Sequence, residues 1–251
     1  MIVALALALA AHTLLDPTPD SALRPLRTDR PDLTEGPYTV DAGHLQLESD
    51  LGVVGVEGAG AGLGVDVDVF SVNARVGVTD AVDVHVIVPV VGARFVDGDA
   101  AARVGELVLR AKWNLFGNED GSDLALALLP YLVVPAGYEV TGGLIVPVDV
   151  ALPADLGLGA MVAVEAVRDG AALDAEVIVS ASLAYDVGGG VGVYVEGLAS
   201  GVVLQGSGEA WASTGTTFSV APDVQLDAGA RALVVGGAPR AEGFVGVSVR
   251  R

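Results

Sequence analysis

The sequence predicts an all-β fold, a transmembrane antiparallel up-and-down β-barrel of about twelve strands. Three observations carry this. After Gly43, stretches of roughly ten residues repeatedly alternate apolar with polar or small residues, and period two is the period of a strand. Val82-Asp83-Val84-His85-Val86-Ile87-Val88 is one, Leu173-Asp174-Ala175-Glu176-Val177 another, and Val224-Gln225-Leu226-Asp227-Ala228 a third. The chain is 52% hydrophobic with a mean hydropathy of +0.58 despite a formal net charge of -19. No stretch of the body of the chain approaches the ~20 apolar residues of a membrane helix. Lipid-facing strands reconcile the two, because every second residue is free to be polar. Finally, the alternating segments are evenly spaced, at about 17 residues per strand plus connection, which leaves room for tilted spans of ~9–11 residues.

Taken in order, residues 1–11 form a short apolar run ending in small residues, Ala8-Leu9-Ala10-Ala11. It resembles a secretory signal peptide, although the basic n-region is missing. Residues 12–42 hold Pro17, Pro19, Pro25, Pro31 and Pro37 among charged residues, which excludes regular helix and strand. They read as a Pro-rich periplasmic leader or lumen plug. Residues 43–251 read as the outer-membrane barrel. Its strands are expected near 43–55, 65–79, 82–92, 105–116, 123–134, 143–152, 156–167, 172–186, 190–202, 214–221, 224–234 and 241–250. Short connections at 79–81, 117–122, 153–155, 187–189 and 221–223 alternate with longer ones at 56–64, 93–104, 135–142, 167–171, 203–213 and 235–240. That rhythm suits periplasmic turns and external loops. Val65, Val67 and Val69 are in phase, but Val72, Val76 and Val78 have the opposite parity, so a β-bulge is expected near Phe70. Leu124 to Val134 is apolar on both faces, which leaves its inner side undecided.

Composition excludes several classes of function. There is no cysteine, hence no disulfide and no thiolate metal site. Only 13 Lys and Arg and no basic stripe argue against nucleic acid. Asp83 and His85 share a strand face, so a carboxylate could orient that imidazole. Yet no Gly-x-Ser-x-Gly or His-Glu-x-x-His occurs, and the expected distance to the Asp66, Asp68 pair is most of a strand. No enzyme activity and no cofactor are expected. Asp97-Gly98-Asp99 is a weak calcium motif, better read as a solvated loop, and no metal site is expected.

If the apolar face meets lipid, the other face lines the lumen. Strand parity then places Glu48, Asp50, Asp66, Asp68, Asp83, Glu106, Asp149, Glu165, Asp174, Glu176, Glu196 and Asp227 inside, with Arg75, Arg110, Lys112, Arg231 and Arg250 as basic partners and His85 beside Asp83. Acids outnumber bases, so the interior is expected to be either a wet, cation-preferring pore or a salt-bridged plug. In the leader, Arg27 and Arg30 flank Asp29 and near Asp32. By charge complementarity this segment is expected to enter the acidic lumen and gate it.

Particular stretches resemble a known family. They are Leu26-Arg27-Thr28-Asp29-Arg30-Pro31-Asp32-Leu33-Thr34-Glu35-Gly36-Pro37-Tyr38, Gly43-His44-Leu45-Gln46-Leu47-Glu48, Arg75-Val76-Gly77-Val78-Thr79-Asp80, and Gly105-Glu106-Leu107-Val108-Leu109-Arg110-Ala111-Lys112-Trp113. Leu128-Leu129-Pro130-Tyr131, Val224-Gln225-Leu226-Asp227-Ala228-Gly229 and Gly243-Phe244-Val245-Gly246 belong with them. Together they resemble the outer-membrane transporter family associated with meta-pathway phenol-degradation gene clusters. The Thr-Asp-Arg-Pro block is the most specific part. The resemblance implies a bacterial outer-membrane barrel acting as a passive channel for small molecules, hydrophobic ones among them. Outer-membrane lipid and the barrel-assembly machinery are the partners expected of such a protein, with an unnamed small-molecule solute. One departure is the C-terminus, Arg250-Arg251, where such barrels usually end on Phe. A structural or surface-interaction barrel without transport, and a secreted soluble β-protein, are the alternatives. Trp113, Phe116, Tyr131, Tyr138, Tyr185 and Phe218 fall near strand ends, where interfacial aromatic belts sit.

Overall fold

Residues 11–59, 62–88, 91–96, 99–119, 121–134, 140–169 and 172–251 are described by the structure, a computed structural model. Among them, twelve strands follow one another around a closed antiparallel barrel, preceded by a single 3-10 turn at Asp20–Ala22. β1 is Leu45–Ala59. β2 runs as Gly62–Val69 and Ser71–Thr79, β3 as Val82–Val88 and Val91–Val96, and β4 as Asp99–Val104 and Leu107–Phe116. β5 is Leu124–Val134, β6 Thr141–Leu152, β7 Leu156–Asp169 and β8 Ala172–Gly188. β9 is Val191–Val202, β10 Ser207–Ala221, β11 Val224–Val235 and β12 Arg240–Arg250. β12 pairs back onto β1 from Gln46↔Arg250 to Glu57↔Arg240. This closure gives the first and last strands backbone partners, as spanning hydrocarbon requires.

The alternation reads out as expected on β3. Val84, Val86 and Val88 are exposed on the outer face, whereas Asp83 and His85 are fully buried inside. The phase slip in β2 falls on Phe70, which has φ 56 and interrupts the strand. One extra residue there turns Asp66 and Asp68 inward before the break and Arg75, Gly77 and Thr79 inward after it. On β5, whose faces are both apolar in sequence, the odd-numbered residues take the inside. Ala125, Ala127, Leu129, Tyr131 and Val133 point inward and are buried. With Ile145, Met161 and Ala163 they make one sector of the inner wall apolar.

The longer connections come out differently. Segments 56–64, 93–104 and 203–213 are largely strand, because their backbone groups continue the ladders, from Val53↔Asp68 to Ala59↔Gly62 and from Val91↔Val104 to Val96↔Asp99. The asymmetry between the two ends is thus partly one of strand extension. Among the aromatics, Phe116, Tyr185 and Phe218 are exposed at the turn end of the barrel. Tyr131 instead points inside, where its hydroxyl donates to Glu165 at 2.7 Å. It packs so closely on Gly143 that a Cβ there would sit 2.7 Å from the hydroxyl oxygen. Tyr138 lies outside the described residues, as do Asp97 and Gly98 of the acidic loop motif.

Candidate functional site: an ion-paired segment inside the barrel

Each proline lacks an N–H and fixes its φ, so the recurrence of Pro25, Pro31 and Pro37 interrupts any regular β-ladder. Residues 24–42 accordingly cross the barrel interior as irregular chain and take their hydrogen bonds from inward-pointing wall residues. Asp29 sits at the centre of the densest group. Its carboxylate meets Lys112 Nζ at 2.6 Å and Arg75 Nη1 at 3.0 Å, while its backbone N–H donates to Glu48. Arg75 also reaches Glu48 at 2.9 Å and Asp83 at 3.0 Å, and donates to the Tyr38 carbonyl. His85 Nε2 lies 2.8 Å from Asp83 Oδ1. Glu48, Arg75, Asp83, His85 and Lys112 are all nearly or wholly buried. Parity on β1 to β4 places these five inside, but Asp29, which joins Glu48, Arg75 and Lys112, comes from the leader.

A second group lies across the seam where the barrel closes. The Arg30 guanidinium pairs with Asp227 on β11 at 2.8 Å and with Asp50 on β1. Between them it passes directly over Gly246 on β12, where a Cβ would stand 2.0 Å from Nη2. Arg250 on β12 contributes nearby, donating to the Arg24 carbonyl at 2.7 Å and pairing with Asp41 and Asp223. Farther along, the N–H groups of Leu33 and Thr34 and the Thr34 hydroxyl all donate to Glu196 on β9. Arg110 pairs with Glu35, and the Tyr38 hydroxyl donates to Asp149 on β6 at 3.0 Å.

The remaining candidates are spread along the wall. Asp66 and Asp68 pair with Arg94 and Arg103. Both arginines fall in 93–104, expected to be a loop, and the inward parity, odd at Asp83 and His85, is even at Arg94. Arg231 pairs with Glu242, a second partner not singled out beforehand. Glu165 accepts from Tyr131, and Asp174 accepts from the backbone N–H of Ala175 and Leu204. Glu176 faces Glu165 across the β7·β8 ladder. Glu106 stands apart, exposed at the break between the two runs of β4. Among the described residues, no group of three or more His, Asp or Glu is disposed to hold a metal ion.

Burial acts on the leader's own charges unequally. It would raise the Asp29 carboxyl, but Arg75 and Lys112 hold it well below the usual carboxylate range. Asp50 and Asp227 hold Arg30 firmly cationic against the same burial. Asp32 has no such partner. Burial pushes it up to about 7, opposed by a Ser182 hydrogen bond and reinforced by Glu196. Burial likewise pushes the Tyr38 phenol up to about 12, with Asp149 adding to it.

The leader does not fill the barrel. A cavity of about 390 Å³ lies between it and the β6–β8 wall, with Asp32, Asp149, Asp155, Gly157 and Ala184 among its lining. Another of about 430 Å³ lies towards β8–β11, lined by Arg30, Asp32, Gly192, Tyr194 and Gln225 among others.

Known structures resemble this architecture. The COG4313 outer membrane channel from Pseudomonas putida F1 matches with a TM-score of 0.63 at 12% identity, over 90% of this chain and 100% of that one. The translocator domain of the autotransporter NalP from Neisseria meningitidis matches with a TM-score of 0.47 at 12% identity, over 82% and 88%. An anion-selective porin from Comamonas acidovorans matches with a TM-score of 0.43 at 10% identity, over 82% and 98%. No curated protein matches the chain. The fold is that of a bacterial outer-membrane β-barrel. The model of one family, described as "Putative MetA-pathway of phenol degradation", matches residues 28–250, from within the leader to the last strand, and the chain belongs to that family.

Proposed function

We propose that the protein is a passive channel of the bacterial outer membrane, in which residues 24–42 form a fixed internal plug and small molecules pass beside it. The observation that carries this reading is the pair of cavities of about 390 and 430 Å³ left open beside a leader that is itself pinned to the wall. The inward residues of β1 to β12 are then the lumen lining, and Arg27, Asp29, Arg30 and Asp32 are the plug's contribution to it. Lipid surrounds the outer face. The barrel-assembly machinery inserts the chain after export directed by residues 1–11, and the solute is a small molecule. The mechanism is diffusion, without covalent chemistry. In support, the Asp83–His85 pair is fully buried beneath the leader, where no substrate reaches it.

The density of ion pairs between leader and wall favours a second reading, a structural barrel held shut. Single-channel recording in planar bilayers, with liposome swelling by small neutral solutes, separates the two. The channel reading expects unitary conductance from the wild-type protein and a several-fold rise when residues 16–38 are deleted. A wild-type protein that folds, inserts and passes neither ions nor solutes is a structural barrel.

A further inference from the structure

The leader's charged side chains are not held alike. Asp29, Arg30 and Glu35 are each ion-paired to the wall, and Arg24 is paired to Asp41. Arg27 is exposed and has no carboxylate within ion-pair distance among the described residues; its guanidinium rests on the face of Tyr38, 4.9 Å from the ring centre. Its backbone, by contrast, is pinned. Gln46 Nε2 donates to the Arg27 carbonyl at 2.8 Å, and Gln225 donates to the next residue's hydroxyl, on Thr28, at 3.0 Å. A long side chain on a fixed backbone, held by one exposed cation–π contact, is free to change rotamer on the nanosecond scale.

Its position gives that freedom a consequence. Arg27 lines both cavities that flank the leader and also a third, of about 240 Å³, and all three lie towards the turn end of the barrel. The wall opposite is built from residues too small to close the space. Gly157, Gly159 and Ala184 line the first cavity, and a Cβ at Gly157 would touch nothing within 4 Å. Asp32 and Asp186 line both cavities beside the leader, and Asp149 and Asp155 line the first. Arg27 and Arg30 supply the basic side chains in that lining, and Arg30 is already engaged by Asp50 and Asp227. Carboxylates along a narrow path favour cations, and a tethered guanidinium at its junction opposes them by charge and by bulk.

Resting on the channel reading above, we propose that small cations are the preferred solutes, that they pass beside the leader through these two cavities, and that Arg27, swinging on and off Tyr38, is the valve at their junction. Arg27 thus sets both the conductance and the charge selectivity, while the remainder of the leader stays fixed as one wall of the path.

The test is single-channel recording across a KCl gradient with the full-length protein and Arg27→Gln, Arg27→Glu and Arg27→Lys, each first shown to be folded by heat-modifiable gel mobility. Wild type is expected to give a reversal potential of the cation-selective sign. Arg27→Gln is expected to raise unitary conductance about two-fold and move the reversal potential further towards that of potassium, with Arg27→Glu moving it further still and Arg27→Lys staying close to wild type. An anion-selective wild type, or a conducting wild type whose conductance and reversal potential are unchanged in Arg27→Gln and Arg27→Glu, overturns the proposal and leaves the channel reading standing. No conductance from wild type or any variant overturns both.

Discussion

Arg30 is held by fit as much as by charge. A guanidinium can bridge Asp227 and Asp50 across an intervening strand only if that strand presents no side chain at the crossing point, and Gly246 meets this condition. Arg30→Ala would leave the Asp227 carboxylate, wholly buried as a side chain, without its cation. Removing one partner of a buried pair costs about 3–5 kcal/mol, less here because Asp50 keeps some access to water. Gly246→Val should produce a similar loss without touching any charge, since the new Cβ occupies the guanidinium's place. Both variants are expected to lower the temperature at which the heat-modifiable gel band shifts, and the double variant to lower it little more than either alone. Fully additive losses would show that the two residues act independently. Charge complementarity in the sequence already suggested that Arg30 meets lumen acids. Which acids, and the role of Gly246, depended on strand register, which a single sequence does not specify across the β1–β12 closure.

At the level of elements, the strands were legible because two solvents enforce period two. Lipid demands apolar residues on one face, and a polar interior permits acids on the other, so the alternating segments announce themselves. The slip at Phe70 was legible for the same reason, as a break in phase. The extent of the strands was not. Gly-rich stretches such as Gly55 to Gly64 look like loops, yet their backbones pair across the hairpin, and this concealed Arg94 as a partner of Glu57. β5 was opaque because both of its faces are largely apolar, so parity alone assigns neither to the inside. The leader was legible as non-strand, but its course past Glu48, Glu196 and Asp149 follows from tertiary pairing alone. Removing it strands several buried charges at once, Asp227, Lys112 and Glu196 among them. Deletion of residues 16–38 is therefore expected to lower barrel stability by more than Arg30→Ala does, as read from the same gel shift, even as conductance rises. A deletion variant as heat-resistant as wild type would mean that lumen water alone compensates those charges.

At the scale of the whole molecule, the seating of the leader in its barrel is linked to pH, and the sign follows from two leader carboxyls. Asp29 is held below its ordinary pKa, so its contribution is complete above the ordinary carboxylate range and is lost only in strong acid. Asp32 is shifted the other way, from an ordinary 3.8 up to about 7. Around it are Glu196 on β9 and Asp29 in the leader, both of which disfavour its ionisation, with the Ser182 hydroxyl on β8 as the opposing hydrogen bond. Between those two pH values the seated leader binds a proton that a solvated leader does not. Seating therefore weakens as pH rises through that window, by up to about 1.4 kcal/mol per pH unit, and levels off above about pH 7. The stability of the folded barrel should accordingly fall from mildly acidic to neutral pH and change little beyond it. Asp32→Asn, which keeps the shape and cannot ionise, should remove most of that slope and leave stability near the acidic value throughout. The measurement is the midpoint of the heat-induced gel shift for wild type and Asp32→Asn between about pH 5 and pH 8. A wild-type midpoint that rises across this range, or an Asp32→Asn slope equal to that of wild type, would assign the linkage to another group and leave Asp32 ionised in place.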